Sequence, residues 1–109
     1  MNEIFVSNKS KMLGLSVEGT RRVLDSAFRE SSRLVPELAT AVAQKSYADV
    51  QSISHRIKGI FANLQFTETS AVAQEINLAA IDQKDWMDIQ GLLTKLSLAY
   101  ESLKKESGL

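Results

Sequence analysis

Cysteine is absent from this sequence of 109 residues, and proline and histidine each occur once. The lack of cysteine excludes disulfide bonds and thiolate metal sites, and it fits a reducing compartment without requiring one. Thirteen basic and thirteen acidic residues give a net charge of zero, so the basic excess usual in nucleic-acid-binding proteins is missing. No apolar run reaches the roughly 18 residues of a membrane helix, and the N-terminus lacks a secretory signal pattern. We therefore expect a cytoplasmic chain that binds no nucleic acid and does not insert into a membrane.

The chain is predicted to form a single all-α domain over residues 1–109. Hydrophobic residues make up 44% and charged residues 24% of the sequence, which is the composition of a globular domain with one core. Strand-like alternation is absent, whereas apolar residues recur at spacings of three and four. Four one-sided apolar stripes with short links favour an antiparallel up-down four-helix bundle over about 16–106, with a short N-terminal extension.

Capping residues and breakers predict where the outer helices begin and end. Ser16 is expected to cap a helix over about 17–44. Its apolar stripe keeps its phase across Pro36, so we expect a kink near Val35 rather than a break. The last helix is expected to begin after Asp85. Residues 1–10 show no clear period and are expected to pack on the bundle or fray, and residues 107–109 are expected to be loose.

Two further caps are predicted in the middle of the chain. Ser46 is expected to cap a helix that ends at Gln65 and Phe66, with Asp49 at the third position in the manner of a capping box. Thr67 is expected to cap the following helix, over about 68–81.

The segment 46–64 contains His55, and its two faces differ sharply when it is drawn as an α-helix. The apolar residues fall on one arc, which comprises Val50, Ile53, Ile57, Ile60, Phe61 and Leu64. Small and polar residues fall on the opposite arc, which comprises Ala48, Gln51, Ser52, His55, Lys58, Gly59 and Ala62. We therefore expect the imidazole to face solvent near the middle of the second long helix.

The neighbours of His55 limit the chemistry that it could perform, and a lone surface histidine often has no function. A metal site is disfavoured, because there is no second imidazole, no thiolate, and no carboxylate three or four residues away. Nothing in the sequence points to the nucleophile and orienting carboxylate of a catalytic triad. An exposed histidine does suit the acceptance of a phosphoryl group, because neutral imidazole is a nucleophile near pH 7.

Lys58 and Gly59 lie next to His55 on the predicted helix surface. The Lys58 ammonium could offset charge on phosphoryl oxygens. Glycine in the middle of a helix costs about 0.5–1 kcal/mol relative to alanine, so its presence calls for a reason. Gly59 would keep side-chain bulk away from the ring, which matters if a second protein must bring its own site to the histidine. Alternatively, Lys58 is an ordinary solvated lysine and Gly59 only permits close helix packing.

The segment His55–Leu64, HRIKGIFANL, resembles the signature of histidine phosphotransfer (HPt) domains, in which HxLKG is followed by small residues and Ala-Asn-Leu or Ala-Asn-Ile. The resemblance extends over roughly 13–103, with Phe28 and Pro36 where such domains often have an aromatic residue and a proline. The sequence departs from the family at Gln65, where glycine is usual, and at Ile60 and Phe61, where small residues are usual.

The resemblance implies a carrier in a multistep phosphorelay rather than an enzyme. The phosphoryl group would pass from a receiver-domain aspartate to His55, with Lys58 and Gly59 as its helpers, and on to another receiver. Mg²⁺ would be held by the receiver, and this chain would bind no cofactor or metal. The implied partners are response-regulator receiver domains and, as a further candidate, a hybrid sensor histidine kinase, with the chain itself a monomer. The implied docking residues are Gln51, Ser52, Ala62, Asn63 and Phe66.

Two other functions stay open at this stage. The chain could be a non-catalytic helical adaptor, for which His55 would be irrelevant. It could also be the phospho-accepting domain of a chemotaxis-type kinase, in which the donor is a kinase domain with ATP rather than a receiver. The sequence leaves open the pathway, the direction of phosphoryl flow, and whether this is a separate protein or a domain of a hybrid kinase.

Overall fold

The computed structural model describes residues 1–109 and contains five α-helices and no strand. The helices are α1 (Glu3–Leu13), α2 (Val17–Ala43), α3 (Tyr47–Asn63), α4 (Thr67–Ile81) and α5 (Trp86–Ser107). The predicted all-α class is confirmed. α3 packs against α2 and α4, α4 packs against α5, and α5 also contacts α2, so these four helices enclose one core. None of the helices is both long enough and apolar enough to cross a membrane.

Of the two alternatives for residues 1–10, packing on the bundle is confirmed, because Val6 lies in the core and Phe5 packs against it, but the helix that begins at Glu3 was not predicted. Asn2 caps α1 by accepting hydrogen bonds from the backbone N–H groups of Ile4 and Phe5, at 2.9 and 3.2 Å. The buried face of α1 consists of Val6, Lys9 and Ser10. Two of these three residues are polar, and this is why the segment shows no apolar period.

The predicted loose C-terminus is also wrong, because α5 continues to Ser107, which is fully buried. The backbone N–H of Asn2 donates to the Ser107 carbonyl oxygen at 2.6 Å. Gly108 follows with a φ of +83°, and a Cβ there would lie 3.0 Å from the Asn2 nitrogen. The end of α5 is therefore held by the start of α1, a contact between chain ends that local pattern does not reveal.

Helix α2 is continuous from Val17 to Ala43 with Pro36 inside it, as predicted, whereas the kink near Val35 stays a prediction. Its buried face differs in detail from the stripe that the spacing predicts, which comprises Val17, Leu24, Phe28, Val35, Leu38 and Val42. Val17 is 40% exposed, and Leu34 rather than Val35 is fully buried. Ser31, which interrupts the stripe, is also fully buried, and its Oγ lies 2.9 Å from the Tyr100 Oη in a hydroxyl pair.

The caps of α3 and α5 are confirmed, and that of α4 is not. The Ser46 Oγ accepts the Asp49 N–H at 3.3 Å, but the Ser46 N–H donates to the Ala41 carbonyl oxygen at 3.1 Å. Only the first half of a capping box therefore forms. Asp85 Oδ1 accepts the Met87 N–H at 2.9 Å. The prediction that Thr67 caps α4 is wrong, because Thr67 is already helical and the preceding residue, Phe66, makes no side-chain cap bond.

The three links between α2 and α5 each contain a non-glycine residue in the left-handed region of φ. These residues are Lys45, Gln65 and Gln83, with φ values of 55°, 59° and 52°. Gln65 is one of the departures from the HPt signature, in which glycine is usual. Because its backbone adopts the conformation that glycine adopts most easily, the substitution leaves the link after α3 in a glycine-like shape.

Candidate functional site

His55 lies in the middle of α3 with its side chain exposed, as the sequence predicts. The opposite side of α3 is buried through Val50, Ile57 and Phe61, all with no measurable exposure. None of the salt bridges in the protein includes the imidazole. The amphipathic pattern of this helix therefore presents the ring to solvent, where a second protein could reach it.

Gly59 follows His55 by one turn, and the space that a side chain would occupy beside it is open. A Cβ built at this position would find no atom within 4 Å outside the neighbouring helix backbone. Close packing against another helix of the same chain is therefore not the reason for this glycine. The open space fits the alternative that glycine leaves access to the neighbouring ring.

The two cations beside His55 differ in what they contact. Arg56 Nη2 donates to Glu30 Oε1 at 2.6 Å, which ties the arginine to α2. Lys58 is partly buried and takes part in no salt bridge. Its ammonium is therefore the cation near His55 that remains available to an incoming anion.

Four of the five predicted docking residues are exposed on the same side of α3 as His55. At 100° per residue, all of them lie within about 80° of His55 around the helix axis. We call this surface the His55 face, and it consists of Gln51, Ser52, His55, Lys58, Gly59, Ala62 and Asn63. Their role in docking stays a prediction.

Phe66, the fifth predicted docking residue, lies elsewhere in an aromatic cluster beneath α1. Its ring stacks on Phe5 with centroids 5.9 Å apart and also contacts Phe28 and Phe61. The Lys9 ammonium nitrogen lies 4.0 Å from the Phe66 ring centroid. Burial lowers the pKa of Lys9. The sequence did not predict this packing role, because α1 itself was missed, and docking by Phe66 remains a prediction.

We call the contacts that hold α1 to the other helices the α1 seam, and its residues are Asn2, Glu3, Phe5, Val6, Lys9, Arg21, Phe66, Ser107 and Gly108. Besides the contacts already described, Arg21 Nη2 donates to Glu3 Oε2 at 3.0 Å. This hydrogen bond and the positive charge of Arg21 hold the pKa of Glu3 below its usual range, and the same bond and the negative charge of Glu3 raise the pKa of Arg21.

Two grooves flank the C-terminal half of the His55 face. One, of about 500 Å³, runs between α3 and the first half of α2 with the α1–α2 link, and its lining includes Leu15, Val23, Ile60 and Asn63. The other, of about 460 Å³, lies between α3 and α4, and its lining includes Lys58, Ala62, Gln65, Ser70 and Gln74. Ile60, the second departure from the HPt signature, thus lines a groove, whereas Phe61, the third, fills the core.

The polar residues of α4 that contact α3 were not predicted from the sequence. Asn77 is buried and donates from Nδ2 to the Gln51 carbonyl oxygen at 2.9 Å, and the Ser70 Oγ donates to the Lys58 carbonyl oxygen at 3.3 Å. The only signal for Asn77 was a polar residue directly after Ile76 on the apolar side of α4. No group of three or more histidine, aspartate or glutamate side chains is placed to hold a metal ion.

A family model described as the Hpt domain matches residues 22–106, most of the chain and all of the His55 face. The chain belongs to the Hpt domain family. Hpt domains take part in histidine phosphotransfer within phosphorelays, act as phosphoryl carriers, and interact with receiver domains and histidine kinases. The Hpt match begins inside α2, so α1 lies outside it. Searches of curated proteins and of solved structures returned no match to this chain.

Proposed function

We propose that His55 carries a phosphoryl group between the aspartates of two receiver domains. A ring nitrogen attacks the phosphorus of an aspartyl phosphate, the phosphorus–oxygen bond breaks, and the carboxylate leaves with the electron pair. The observation that carries this proposal is an exposed histidine beside a glycine with open space around it, in a chain of the Hpt family. The same chemistry in reverse would deliver the group to a second receiver.

Lys58 and Gly59 would serve the transfer in different ways. The unpaired ammonium of Lys58 would offset negative charge on the phosphoryl oxygens, as a point charge near solvent. Gly59 would let the receiver bring its aspartate within about 3–3.5 Å of the ring nitrogen, which is the separation of a reactive pair. Neither role requires a hydrogen bond to His55.

The docking surface that we propose is the His55 face, and the half-buried ring of Phe66 would add a separate contact to the receiver. This face is small and mostly uncharged, and the one salt bridge beside it ties Arg56 to Glu30. Such a surface fits a weak and transient encounter, typical of small signalling interfaces. The chain would act as a monomer in the cytoplasm, where receiver domains are found.

We infer an antiparallel up-down arrangement of α2 to α5, with α1 as an added helix. Two side-chain hydrogen bonds between α3 and α4 support it, because residues later in α4 bond to residues earlier in α3. Ser70 bonds to Lys58, whereas Asn77, seven residues later on α4, bonds to Gln51, seven residues earlier on α3. The links of three or four residues are also typical of antiparallel neighbours.

By this account the chain is a carrier that turns over nothing alone, and the Mg²⁺ that activates the transfer belongs to the receiver. The test is to offer the chain a phosphorylated receiver domain and, separately, a histidine kinase core with ATP. Acid-labile label on His55 from the receiver supports the proposal. Label from the kinase core alone would favour the chemotaxis-type function, and no label from either would favour an adaptor.

A further inference from the structure

Two side chains of α4 donate hydrogen bonds to the backbone of α3 on either side of His55. Asn77 reaches the Gln51 carbonyl oxygen, four residues before the histidine, and Ser70 reaches the Lys58 carbonyl oxygen, three residues after it. These are the only side-chain hydrogen bonds between α3 and α4. α3 is therefore hydrogen-bonded to side chains of α4 at two points, one before and one after His55.

Both carbonyl groups belong to the part of α3 that positions His55. In an α-helix the Gln51 carbonyl also accepts the backbone N–H of His55, so Asn77 holds the group to which the histidine itself is bonded. The Lys58 carbonyl belongs to the peptide that joins Lys58 to Gly59. Because glycine makes a helix more flexible, this peptide is where α3 is expected to be loosest.

Asn77 is not needed to satisfy α3. The Gln51 carbonyl has its own backbone partner and also accepts the Ser54 Oγ at 3.2 Å. Asn77 is only 7% exposed among the buried residues Ala73, Ile76 and Ala80 of α4, a place where an apolar side chain would pack without any polar group to satisfy. The amide therefore adds a fixed direction to the contact rather than merely filling space.

We propose that Asn77 and Ser70 are positioning residues for the phosphoryl acceptor, which hold the stretch 51–59 of α3 in register against α4. This inference rests on the proposed function of His55. Gly59 places no side chain beside His55, but it also makes α3 more flexible. The two hydrogen bonds from α4 restore the rigidity of α3 that the glycine removes. Their effect falls on the transfer step and not on receiver binding, because neither side chain belongs to the His55 face.

The experiment measures single-turnover transfer from a phosphorylated receiver domain at increasing receiver concentration. Asn77→Leu keeps the approximate shape of the side chain without its donor, and Ser70→Ala removes only the hydroxyl. We expect the maximal rate to fall about tenfold for Asn77→Leu and less for Ser70→Ala, since small displacements of reacting groups are costly. The half-saturating concentration is expected to stay the same. Ser70→Thr, which keeps a hydroxyl, is expected to restore the rate.

Two control variants distinguish a specific effect on the position of His55 from a general loss of stability of the helices. Thr20→Ala removes a hydroxyl bond to the Ser16 carbonyl from a fully buried site at the start of α2, and Thr94→Ala removes a similar exposed bond on α5. Both are expected to transfer at the parental rate. The proposal is overturned if Asn77→Leu and Ser70→Ala also do so, if the half-saturating concentration rises instead, or if Thr20→Ala shows the same loss.

The experiment also distinguishes refutation of the proposed function from refutation of the positioning role. An unmodified chain that takes no label from the receiver would refute phosphotransfer through His55, and the positioning role with it. A labelled chain whose variants are unchanged would refute only the positioning role. Circular dichroism checks that each variant is folded, and Ser70→Ala decides the matter alone if Asn77→Leu is not.

Discussion

The His55 face and the α1 seam each contain a lysine and a glycine, which are partly open to solvent in the first region and packed against other residues in the second. On the His55 face, Lys58 has no ionic partner, and a Cβ added at Gly59 would meet no atom within 4 Å outside the surrounding backbone of α3. In the α1 seam, Lys9 is nearly buried over the Phe66 ring, and Gly108 lies against Asn2 in a conformation that other residues rarely adopt. This fold can pack a lysine against an aromatic ring and a glycine against the backbone, as Lys9 and Gly108 show. The absence of such contacts at Lys58 and Gly59 therefore points to a role toward a partner.

The two regions also differ in their relation to the Hpt family. The family match covers residues 22–106 and so includes the whole His55 face, whereas α1 lies outside it. The α1 seam closes the end of the molecule where the first and last residues meet. We therefore expect changes in the α1 seam to alter stability and changes on the His55 face to alter transfer.

The largest expected effect is on stability, in the α1 seam. Phe5→Ala removes a ring that stacks on Phe66, and we expect the free energy of unfolding to fall by about 3 kcal/mol. The matched control is Ile4→Ala, the preceding residue, whose side chain is 73% exposed and whose loss should change stability by less than about 0.5 kcal/mol. Urea denaturation of the two variants measures the difference. Equal losses would mean that α1 is not held by this stack.

The largest expected effect on transfer belongs to Gly59→Leu. A Cβ at position 59 meets no atom within 4 Å outside the surrounding helix backbone, and leucine favours helices, so the melting temperature should stay the same or rise. A receiver would be pushed back by the new side chain, and a displacement of about 1 Å can lower the rate on the order of a hundredfold. Melting curves and transfer rates from one phosphorylated receiver test both statements. A parental transfer rate would show that the receiver does not dock over Gly59.

The two glycines should respond oppositely to alanine. Gly108→Ala places a Cβ at a φ of +83° and 3.0 Å from the Asn2 nitrogen, so we expect a loss of about 2 kcal/mol in the free energy of unfolding. Gly59→Ala should instead raise it by up to about 1 kcal/mol, through helix propensity and a less flexible unfolded chain. Thermal melts measure both changes. The contrast between the two surfaces fails if both variants shift in the same direction.

The smallest expected effect is that of Lys58→Ala on transfer. The ammonium is near solvent, where salt screens its field, and the receiver's metal would carry most of the charge stabilisation. We expect a rate loss of a few-fold at low ionic strength that shrinks as salt is added. Lys95→Ala, a lysine on α5 that pairs with Glu75, is the control and should show no loss. An unchanged rate for Lys58→Ala at low salt would remove Lys58 from the site.

The sequence predicted the parts of the molecule that depend on local pattern. The stripe of α3 was enough to expose His55, and the serine and aspartate caps placed the starts of α3 and α5 within a residue. Contacts between segments that are distant in the sequence could not be predicted in this way. α1 was missed because Lys9 and Ser10 are buried through contacts with other helices, and Ser107 was predicted to be loose because its partner, Asn2, lies at the opposite end of the chain.

The candidate site was predictable for a similar reason, and only in part. His55, Lys58 and Gly59 lie on one helix, so their arrangement follows from their spacing. Asn77 and Ser70 belong to α4, and their bonds to the backbone of α3 depend on how the two helices pack. Phe66 was predicted to face a partner, because nothing in the local sequence indicated that Phe5 would cover it.

The most direct test of the account compares the parent with His55→Gln after incubation with a phosphorylated receiver domain. Each protein is digested and the acid-labile phosphoryl group is mapped by mass spectrometry, while melting curves check the fold. The account predicts label on His55 in the parent, none on the variant, and melting temperatures that differ little, because His55 is exposed and has no ionic partner. Label that persists on the variant would contradict the account.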